Sequence, residues 1–248
     1  MTAVHPANGL SVVKQLLIDR PSFHLGGEAH WDCTPGTLEG ILRTVQDGGS
    51  TIETGAGAST VVFAAVGAAH TAISPMADEH QRIKQYCDRI GVDHSRVNFV
   101  VGLSDDVLPA MLGHDRVLDA AFIDGAHSFP FPEVDWYYIS RALKVGGKLM
   151  LDDIPIPAVA PVFRHMALEP HWRLDGIFDD RAAAFTLLAP PQPEDWTNQP
   201  FNKGYPDLSF AGGPAARLRL EATYRVKQVR SGTAERFPAL RRVLRRQK

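Results

Sequence analysis

Three stretches of the sequence bring together residue types that could perform chemistry. Residues 50–60 read Ser-Thr-Ile-Glu-Thr-Gly-Ala-Gly-Ala-Ser-Thr, a run that passes through an acid to a pair of glycines. Residues 122–127 read Phe-Ile-Asp-Gly-Ala-His, and residues 149–153 read Leu-Met-Leu-Asp-Asp. Backbone N–H groups at a glycine turn bind anionic or polar ligands, carboxylates hold hard cations, and an imidazole moves protons near neutral pH.

The glycine pair of the first stretch predicts a ligand-binding turn. Residues 50–54 are expected to form a short buried strand that carries the acid Glu53, and Gly55, Ala56 and Gly57 then make the turn. Glycine has no side chain, so a nucleoside could approach the main chain closely. Turns of this kind also follow strands that bind no ligand, and the motif alone leaves both interpretations open.

A helix is expected directly after this turn. Ser59 or Thr60 could cap it, and residues 61–66 form its apolar body. Ser59 is therefore close enough to the turn to join a ligand site. Thr60 stands where the dinucleotide-binding fingerprint has its third glycine, which weakens the case for NAD.

Acids and a histidine follow two later apolar runs. Asp124, Asp152 and Asp153 offer oxygen ligands that suit Mg²⁺ or another hard cation, although acids at strand ends also serve as helix caps or solvated loop residues. His127 is the best candidate general base, because an unperturbed imidazole has a pKa of roughly 6.5. Alternatively, its ring hydrogen-bonds a backbone carbonyl and shapes the loop.

These stretches are spaced by a regular alternation of predicted strands and helices. Apolar runs predict strands at residues 50–54, 70–74, 97–101, 118–123, 148–152, 172–178 and 182–188. Apolar residues at helical spacing predict helices between them, at residues 78–90, 105–112, 132–143 and 159–168. This order predicts an α/β fold with a Rossmann-like, mostly parallel sheet, helices on both faces and a C-terminal antiparallel hairpin.

In such a sheet the ligand lies at the carboxyl ends of the strands. The functional residues are therefore expected directly after each strand, at residues 53–59, 74, 102–105, 124–127 and 152–153. His30, Trp31 and Asp32, which precede the sheet, could line the same pocket or pack on the core.

The chain is expected to have three parts. Residues 1–49 form a helical segment that covers the pocket, residues 50–189 form the sheet domain, and residues 190–248 form an irregular basic extension. In the extension, residues 218–229 could form an alternating strand, and residues 237–246 predict a basic amphipathic helix. Residues 212–248 hold 11 Lys and Arg against 2 Asp and Glu, so this tail either folds back on the acidic body or meets an anionic partner.

The composition indicates one soluble globular domain with appendages. The chain has 248 residues, 44% of them hydrophobic, and its net charge of −2 predicts no overall attraction to nucleic acid. Cys33 and Cys87 lack metal-type spacing and suit a reducing compartment. Residues 1–20 lack the features of a signal peptide and no apolar run could span a bilayer, so a cytoplasmic location without membrane contact is expected.

Taken together, these residues resemble the class I S-adenosylmethionine-dependent methyltransferases. They are most similar to a branch of small-molecule O-methyltransferases whose fourth strand ends in Ile-Asp-Gly-x-His, here residues 123–127. The sequence Gly-Gly-Lys-Leu-Met-Leu-Asp-Asp follows one helix later, at residues 146–153. The resemblance covers residues 34–188 and implies a seven-stranded sheet with its last strand reversed, with S-adenosyl-L-methionine as the cofactor.

The family implies roles for the matching positions. Glu53 and the turn at residues 55–57 would hold the methionine part of the cofactor. Ser104 and Asp105 would lie near the adenine, and Asp124 would lie below the sulfonium and the acceptor. Some members use the acids of the motif as metal ligands that bind a diol.

One position departs from the family pattern. The family usually ends its second strand with an acid that accepts hydrogen bonds from both ribose hydroxyls, and this chain has Ser74 there. Either cofactor affinity is reduced, another carboxylate substitutes, or cofactor binding is altered.

The first expectation is a methyltransferase that acts on an oxygen of a small molecule, with a homo-oligomer or an anionic partner of the basic tail left open. A non-catalytic binding or assembly protein with the same fold is the main alternative, supported by Ser74 and the tail. An NAD-dependent oxidoreductase is a weaker one, because the third glycine and the ribose acid are both absent.

Overall fold

The structure is a computed structural model that describes residues 6–24, 33–46, 48–113, 115, 117–190, 195–196, 199–204 and 208–236. The chain divides into two compact units, Met1–Pro190 and Pro191–Lys248, and each is described by itself. His30, Trp31, Asp32 and the helix expected at residues 237–246 lie outside the described residues.

The first unit is built on one seven-stranded sheet. Its strands are β1 (Ser50–Thr54), β2 (Ala69–Ser74), β3 (Val97–Val101), β4 (Leu118–Ile123), β5 (Leu143–Leu151), β6 (Trp172–Phe178) and β7 (Ala182–Leu187). They lie in the order β3-β2-β1-β4-β5-β7-β6. Strands β1 to β5 pair in parallel, and β7 is antiparallel to both neighbours, β5 and β6. The predicted Rossmann-like sheet with a closing hairpin is confirmed.

Helices cover both faces of this sheet. They are α1 (Pro6–Asp19), α2 (Pro35–Thr44), α3 (Ala58–Ala65), α4 (Ala77–Ile90), α5 (Ser104–Met111), α6 (Phe131–Ala142) and α7 (Ala160–Leu168). Ala120 and Phe122 of β4 belong to the core cluster that includes buried residues of α1 to α4. Ala121 and Ile123 belong to the cluster that includes buried residues of α5 to α7. Successive strand side chains point to opposite faces, so the sheet has a core on each side.

Two helix ends carry recognisable cap residues, and a third departs from the cap that was expected for it. The side chain of Thr34 caps α2, with Pro35 at its first position, and α4 ends at Gly91 in the left-handed conformation. The expected cap of α3 is wrong, because the N-cap residue is Gly57. Thr60 lies in the first turn instead, where its hydroxyl accepts the Gly57 N–H at 3.0 Å.

The second unit contains a short 3₁₀ helix (Pro200–Lys203) and one long helix, α8 (Pro214–Arg236). The strand expected at residues 218–229 is wrong, since this stretch lies inside α8. Its alternating apolar residues suggested a strand, but alanines, leucines and long charged residues have high helix propensity and dominate here. The ring centroids of Trp196 and Tyr224 lie 5.7 Å apart within this unit.

No helix in the described part of the chain is long and apolar enough to cross a membrane.

Candidate active site

A cavity of about 560 Å³ lies in the first unit, at the carboxyl ends of the parallel strands. It opens where β1 and β4 are neighbours, which is the point where the strand order reverses and where ligands bind in such sheets. Its lining residues are His24, Cys33, residues 55–59, residues 73–76, Glu79, residues 102–104, residues 124–127, Phe131, Asp153 and Arg181.

Most of the residues selected from the sequence meet in this cavity. Those that line it are Gly55, Ala56, Gly57, Ser59, Ser74, Ser104, Asp124, His127 and Asp153. Three others lie close by without lining it, namely Glu53, Asp105 and Asp152. The parallel strands explain the convergence, because all their carboxyl ends lie at one edge of the sheet.

Gly55 holds the turn in a conformation that other residues avoid. Its φ of +85° lies in the left-handed region, and its N–H donates to the carbonyl oxygen of Ile73 at 2.9 Å. A Cβ atom at this position would lie 2.2 Å from the carbonyl oxygen of Asp124. The turn after β1 and the loop after β4 are therefore in direct contact, and only glycine permits it.

Glu53 lies behind this turn and is 1% exposed. Its Oε1 accepts a short hydrogen bond from the hydroxyl of Thr60 and lies 3.0 Å from Nε2 of His70. Thr60 in turn accepts the N–H of Gly57, so a chain of hydrogen bonds joins Glu53 to the turn. This geometry supports the turn from below, and direct contact between Glu53 and a cofactor stays a prediction.

Ser74 has a carboxylate partner that the sequence analysis missed. Its hydroxyl donates a 2.6 Å hydrogen bond to Oε2 of Glu79, in the first turn of α4. Glu79 lines the cavity beside Ser74. Burial raises the pKa of Glu79, but the hydrogen bonds from His24 and Ser74 outweigh burial and bring the pKa below its usual value. Glu79 is therefore an ionised acceptor at the end of β2.

His24 connects the N-terminal segment to the same carboxylate. Its Nδ1 lies 2.9 Å from Oε1 of Glu79, and its ring lies over Gly57, 3.5 Å from where a Cβ would stand. Next to it, Nε of Arg82 donates to the carbonyl oxygen of Phe23 at 2.6 Å. The segment before the sheet thus contacts both the glycine turn and α4.

The two residues expected near the adenine have different positions. Ser104 begins α5, is nearly buried and lines the cavity after β3. Asp105, the next residue of the helix, is exposed and is not part of the lining. Of these two residues, only Ser104 lines the cavity.

Asp124, His127 and Asp153 form a cluster on the other side of the turn. Nε2 of His127 lies 3.5 Å from Oδ1 of Asp124, and its Nδ1 lies 3.4 Å from Oδ2 of Asp153. Burial lowers the pKa of His127, but both carboxylates favour the imidazolium and bring the pKa above its ordinary value of 6.5. Burial raises the pKa of Asp124, in spite of its contact with His127.

Asp152 is fully buried beside this cluster and pairs with Arg181. Nη2 of Arg181 lies 3.2 Å from Oδ2 of Asp152, and Nε lies 2.8 Å from Oδ1 of Asp153. Burial and the neighbouring Asp124 raise the pKa of Asp152 to about 7. Arg181 comes from the β6–β7 hairpin, whose residues had not been considered for the site.

The three predicted metal ligands do not converge on one point. Among the described residues, groups with suitable spacing are Cys33 with Asp124 and Asp152, and Asp124 with His127 and Asp153. Asp152 and Asp153 thus belong to different groups, although they are adjacent in sequence. The geometry does not reproduce the expected set of three aspartates.

Cys33 lies at the boundary of the cavity and of the acidic cluster. Its Sγ–H donates to Oδ2 of Asp124 at 3.6 Å. Burial, followed by the negative charges of Asp124 and Asp152, raises the pKa of the thiol well above its usual value. Cys33 is therefore a neutral hydrogen-bond donor to Asp124.

The structure adds four residues to the site that sequence reasoning missed, namely His24, Cys33, Glu79 and Arg181. A signal for Glu79 was present, since it follows Gly57 by 22 residues, close to the spacing of the ribose-binding acid in dinucleotide folds. The other three had no local signal, because His24 and Cys33 precede the sheet and Arg181 lies in the turn of its closing hairpin.

Comparison with known proteins agrees with this architecture. A family model described as a methyltransferase domain matches residues 52–154. No curated protein matches the sequence of the chain.

Solved structures resemble the chain in fold. A protein from Corynebacterium glutamicum is 18% identical, with a TM-score of 0.56 over 72% of this chain and 90% of that one. A methyltransferase from Geobacter sulfurreducens is 15% identical, with a TM-score of 0.51 over 73% and 89%. The O-methyltransferase TomG from Streptomyces achromogenes, solved with S-adenosylmethionine, is 17% identical, with a TM-score of 0.50 over 74% and 89%.

At these identities the solved structures establish the fold, and the family model identifies its central part. The model covers β1 to β5 together with the glycine turn and the Asp124–His127 loop. Residues 52–154 therefore match a methyltransferase domain, and the chain shares its fold with solved structures that include methyltransferases.

Proposed function

We propose that the chain is an S-adenosylmethionine-dependent methyltransferase that transfers the methyl group to an oxygen of a small molecule. The observation that carries the proposal is that the glycine turn, Glu79 and His127 line one cavity. The strand ends from β3 to β4 span three strand spacings, about 14 Å. This length accommodates a nucleoside joined to an amino-acid chain.

The residues after β1, β2 and β3 fit the nucleoside part of such a cofactor. Glu79 has two carboxylate oxygens, each with about two lone-pair sites, and His24 and Ser74 use one site on each oxygen. The remaining sites can accept two neighbouring ribose hydroxyls. Glu79 therefore supplies the carboxylate that the family pattern places at Ser74, which favours substitution by another acid over a loss of binding.

The residues after β1 and β3 would hold the two ends of the cofactor. Gly55 and Gly57 leave the main chain open to its methionine part, and Glu53 holds this turn through Thr60. Ser104 would contact the adenine. For Asp105, which is exposed outside the cavity, we propose no contact.

When bound, the cofactor supplies a methyl group activated by a sulfonium. The protein contributes mainly by holding the acceptor oxygen in line with that methyl group. His127 would take the proton of the acceptor hydroxyl. Asp124 and Asp153 face the two ring nitrogens and stabilise the imidazolium that results.

The alternatives considered for the sequence receive less support. A non-catalytic protein with this fold was suggested by Ser74 and the basic tail, and the carboxylate of Glu79 beside Ser74 weakens the first of these arguments. An NAD-dependent enzyme shares the need for a ribose acid, but the family match is to a methyltransferase domain.

The proposal is tested by calorimetric titration of the full chain with S-adenosylhomocysteine, with NAD as the control ligand. Saturable binding of S-adenosylhomocysteine alone supports it, and binding of neither ligand contradicts it. A second arm uses His127→Asn, which should keep the affinity for S-adenosylhomocysteine and lose methyl transfer. Equal transfer rates in the variant and the parent would contradict the role of His127.

A further inference from the structure

We infer that the guanidinium of Arg181 occupies the place that a divalent cation would take between Asp152 and Asp153, so that this site works with a built-in cation and without a metal ion. The inference rests on the charges and contacts of the cluster. Its consequence for the acceptor rests on the proposed function.

Arg181 bridges the two acids at the end of β5. Its Nη2 lies 3.2 Å from Oδ2 of Asp152, and its Nε lies 2.8 Å from Oδ1 of Asp153. Nη2 also donates to Oδ2 of Asp153 at 3.4 Å. The other oxygen of Asp152 accepts the N–H of Asp153 at 2.9 Å. Oδ2 of Asp152 and Oδ1 of Asp153 thus contact Arg181 as ion pairs without a hydrogen bond, and the other oxygen of each carboxylate accepts a hydrogen bond.

The backbone holds Arg181 in this position. Its carbonyl oxygen accepts the N–H of Ile154 at 2.9 Å, directly after Asp153. Its own N–H donates to the carbonyl oxygen of Phe178 at 3.0 Å, across the hairpin. Two main-chain hydrogen bonds thus fix the backbone of Arg181 next to Asp153, and its side chain is only 24% exposed.

A metal ion would have to compete with this arrangement. Ca²⁺ and Mg²⁺ bind carboxylate oxygens at about 2.0–2.6 Å and prefer several such ligands at once. An ion between Asp152 and Asp153 would lie next to a fixed positive charge, and like charges repel strongly where water is excluded. The three aspartates also belong to two different groups of possible ligands, which further disfavours a metal ion held by all three.

The absence of metal chemistry restricts the acceptor. A metal ion would act as a Lewis acid and increase the acidity of a bound hydroxyl. Without one, the hydroxyl loses its proton without help from a Lewis acid. A phenol, with a pKa of about 10, loses that proton much more easily than an aliphatic alcohol, whose acidity is close to that of water. The acceptor class is therefore a phenolic or similarly acidic hydroxyl.

The test is a titration of the full chain with Mn²⁺, followed by the loss of the free-ion electron paramagnetic resonance signal. The parent protein should leave the signal unchanged at millimolar protein and Mn²⁺. Arg181→Met and Arg181→Gln should each gain at least a tenfold increase in Mn²⁺ affinity, and adding Asp152→Asn should remove the gain. Arg173→Met is the matched control, because Arg173 lies in the same hairpin, pairs with Asp175 and should gain nothing.

Two results would overturn the inference. One is Mn²⁺ binding by the parent protein that Asp152→Asn abolishes. The other is an absence of gained binding in both Arg181 variants while their thermal unfolding remains cooperative. Neither result depends on S-adenosylhomocysteine binding, so a failure here is distinct from a failure of the proposed function. If the parent protein transfers methyl groups to phenols in EDTA at its full rate, the consequence for the acceptor is also supported.

Discussion

The hydroxyl of Ser74 donates a 2.6 Å hydrogen bond to Oε2 of Glu79, five residues further along the chain. The carboxylate beside Ser74 thus belongs to the first turn of α4 and not to the end of β2. A helix N-terminus favours a carboxylate. In the proposed cofactor site, Ser74 would thus orient the carboxylate of Glu79, which would bind the ribose in place of an acid at the end of β2.

Glu79→Gln should weaken the binding of S-adenosylhomocysteine by about 10- to 100-fold, because a hydrogen bond to a charged group contributes about 1.5–3 kcal/mol. Calorimetric titration measures the effect. Asp78→Asn is the control, since Asp78 is an exposed acid on the same helix turn. A ligand analogue without the two ribose hydroxyls should bind the parent and the Glu79 variant alike. If removing the two ribose hydroxyls weakens binding to the Glu79→Gln variant as much as it weakens binding to the parent, Glu79 does not bind these hydroxyls.

Gly55→Ala should destabilise the first unit by about 3 kcal/mol or more, through left-handed strain together with a collision with the carbonyl of Asp124. Gly91→Ala is the matched control. Gly91 has a similar φ of +73° but no atom within 4 Å of the added Cβ, so only the strain of about 1–2 kcal/mol remains. Urea unfolding of the three proteins measures the difference. Equal destabilisation would mean that the turn and the Asp124 loop can separate at little cost.

Asp135 offers a test of burial through pH. It is fully buried on α6, and burial raises its pKa above the ordinary value of 3.8. A raised pKa means that the parent loses stability as pH increases from about 3.8 through the folded-state pKa, since only the unfolded state ionises freely there. Asp135→Asn removes this loss, so the variant should gain relative stability between pH 4.5 and pH 8.

Asp119→Asn is the control for that experiment. The hydrogen bond from Lys144 lowers the pKa of Asp119, and its contribution is lost only as pH falls below the ordinary value. Its effect on stability should therefore stay constant between pH 4.5 and pH 8. A parallel pH dependence of the two variants in urea unfolding would contradict the assignment to Asp135.

The proposed base predicts the pH dependence of turnover. His127 must be neutral to accept a proton, and its pKa is above 6.5, so kcat/KM should rise with pH along a limb centred above 6.5. Asp153→Asn removes one carboxylate that favours the imidazolium, and the limb should move to lower pH. Asp106→Asn, at an exposed acid on α5, should leave the limb in place. A limb that Asp153→Asn leaves unmoved would assign the proton to another group.

The mostly parallel sheet with its closing hairpin and the meeting of Asp124, His127 and Asp153 could be predicted from the sequence. Each follows an apolar run, and parallel strands bring their carboxyl ends to one edge. The direction in which the Glu53 side chain points could not be predicted in this way. Strand β1 is buried on both faces, so its sequence does not alternate between apolar and polar residues in a way that marks one face. Whether that side chain faces the ligand or supports the turn depends on Thr60 and His70, which belong to other elements.

Arg181 could not be predicted for a different reason. It reaches the site because Asp179 and Asp180 adopt left-handed conformations, with φ of 49° and 52°, at the tip of the hairpin. The hairpin itself was expected between residues 178 and 182, but nothing in its sequence indicates that the side chain of Arg181 contacts the acids after β5. The spacing of the three aspartates suggested a metal site. That Arg181 pairs with two of them could not be inferred, because its segment had been assigned only to the sheet.

The position of Arg181 also has a consequence for biosynthesis. Strand β7 lies between β5 and β6 in the sheet, although it is the last of the three in the chain. A nascent chain that already includes the glycine turn and the Asp124 loop still lacks the guanidinium that neutralises Asp152 and Asp153. The acidic cluster is therefore completed late, when the hairpin inserts, and a ribosome-bound chain that stops before residue 181 carries a half-built site with an uncompensated charge.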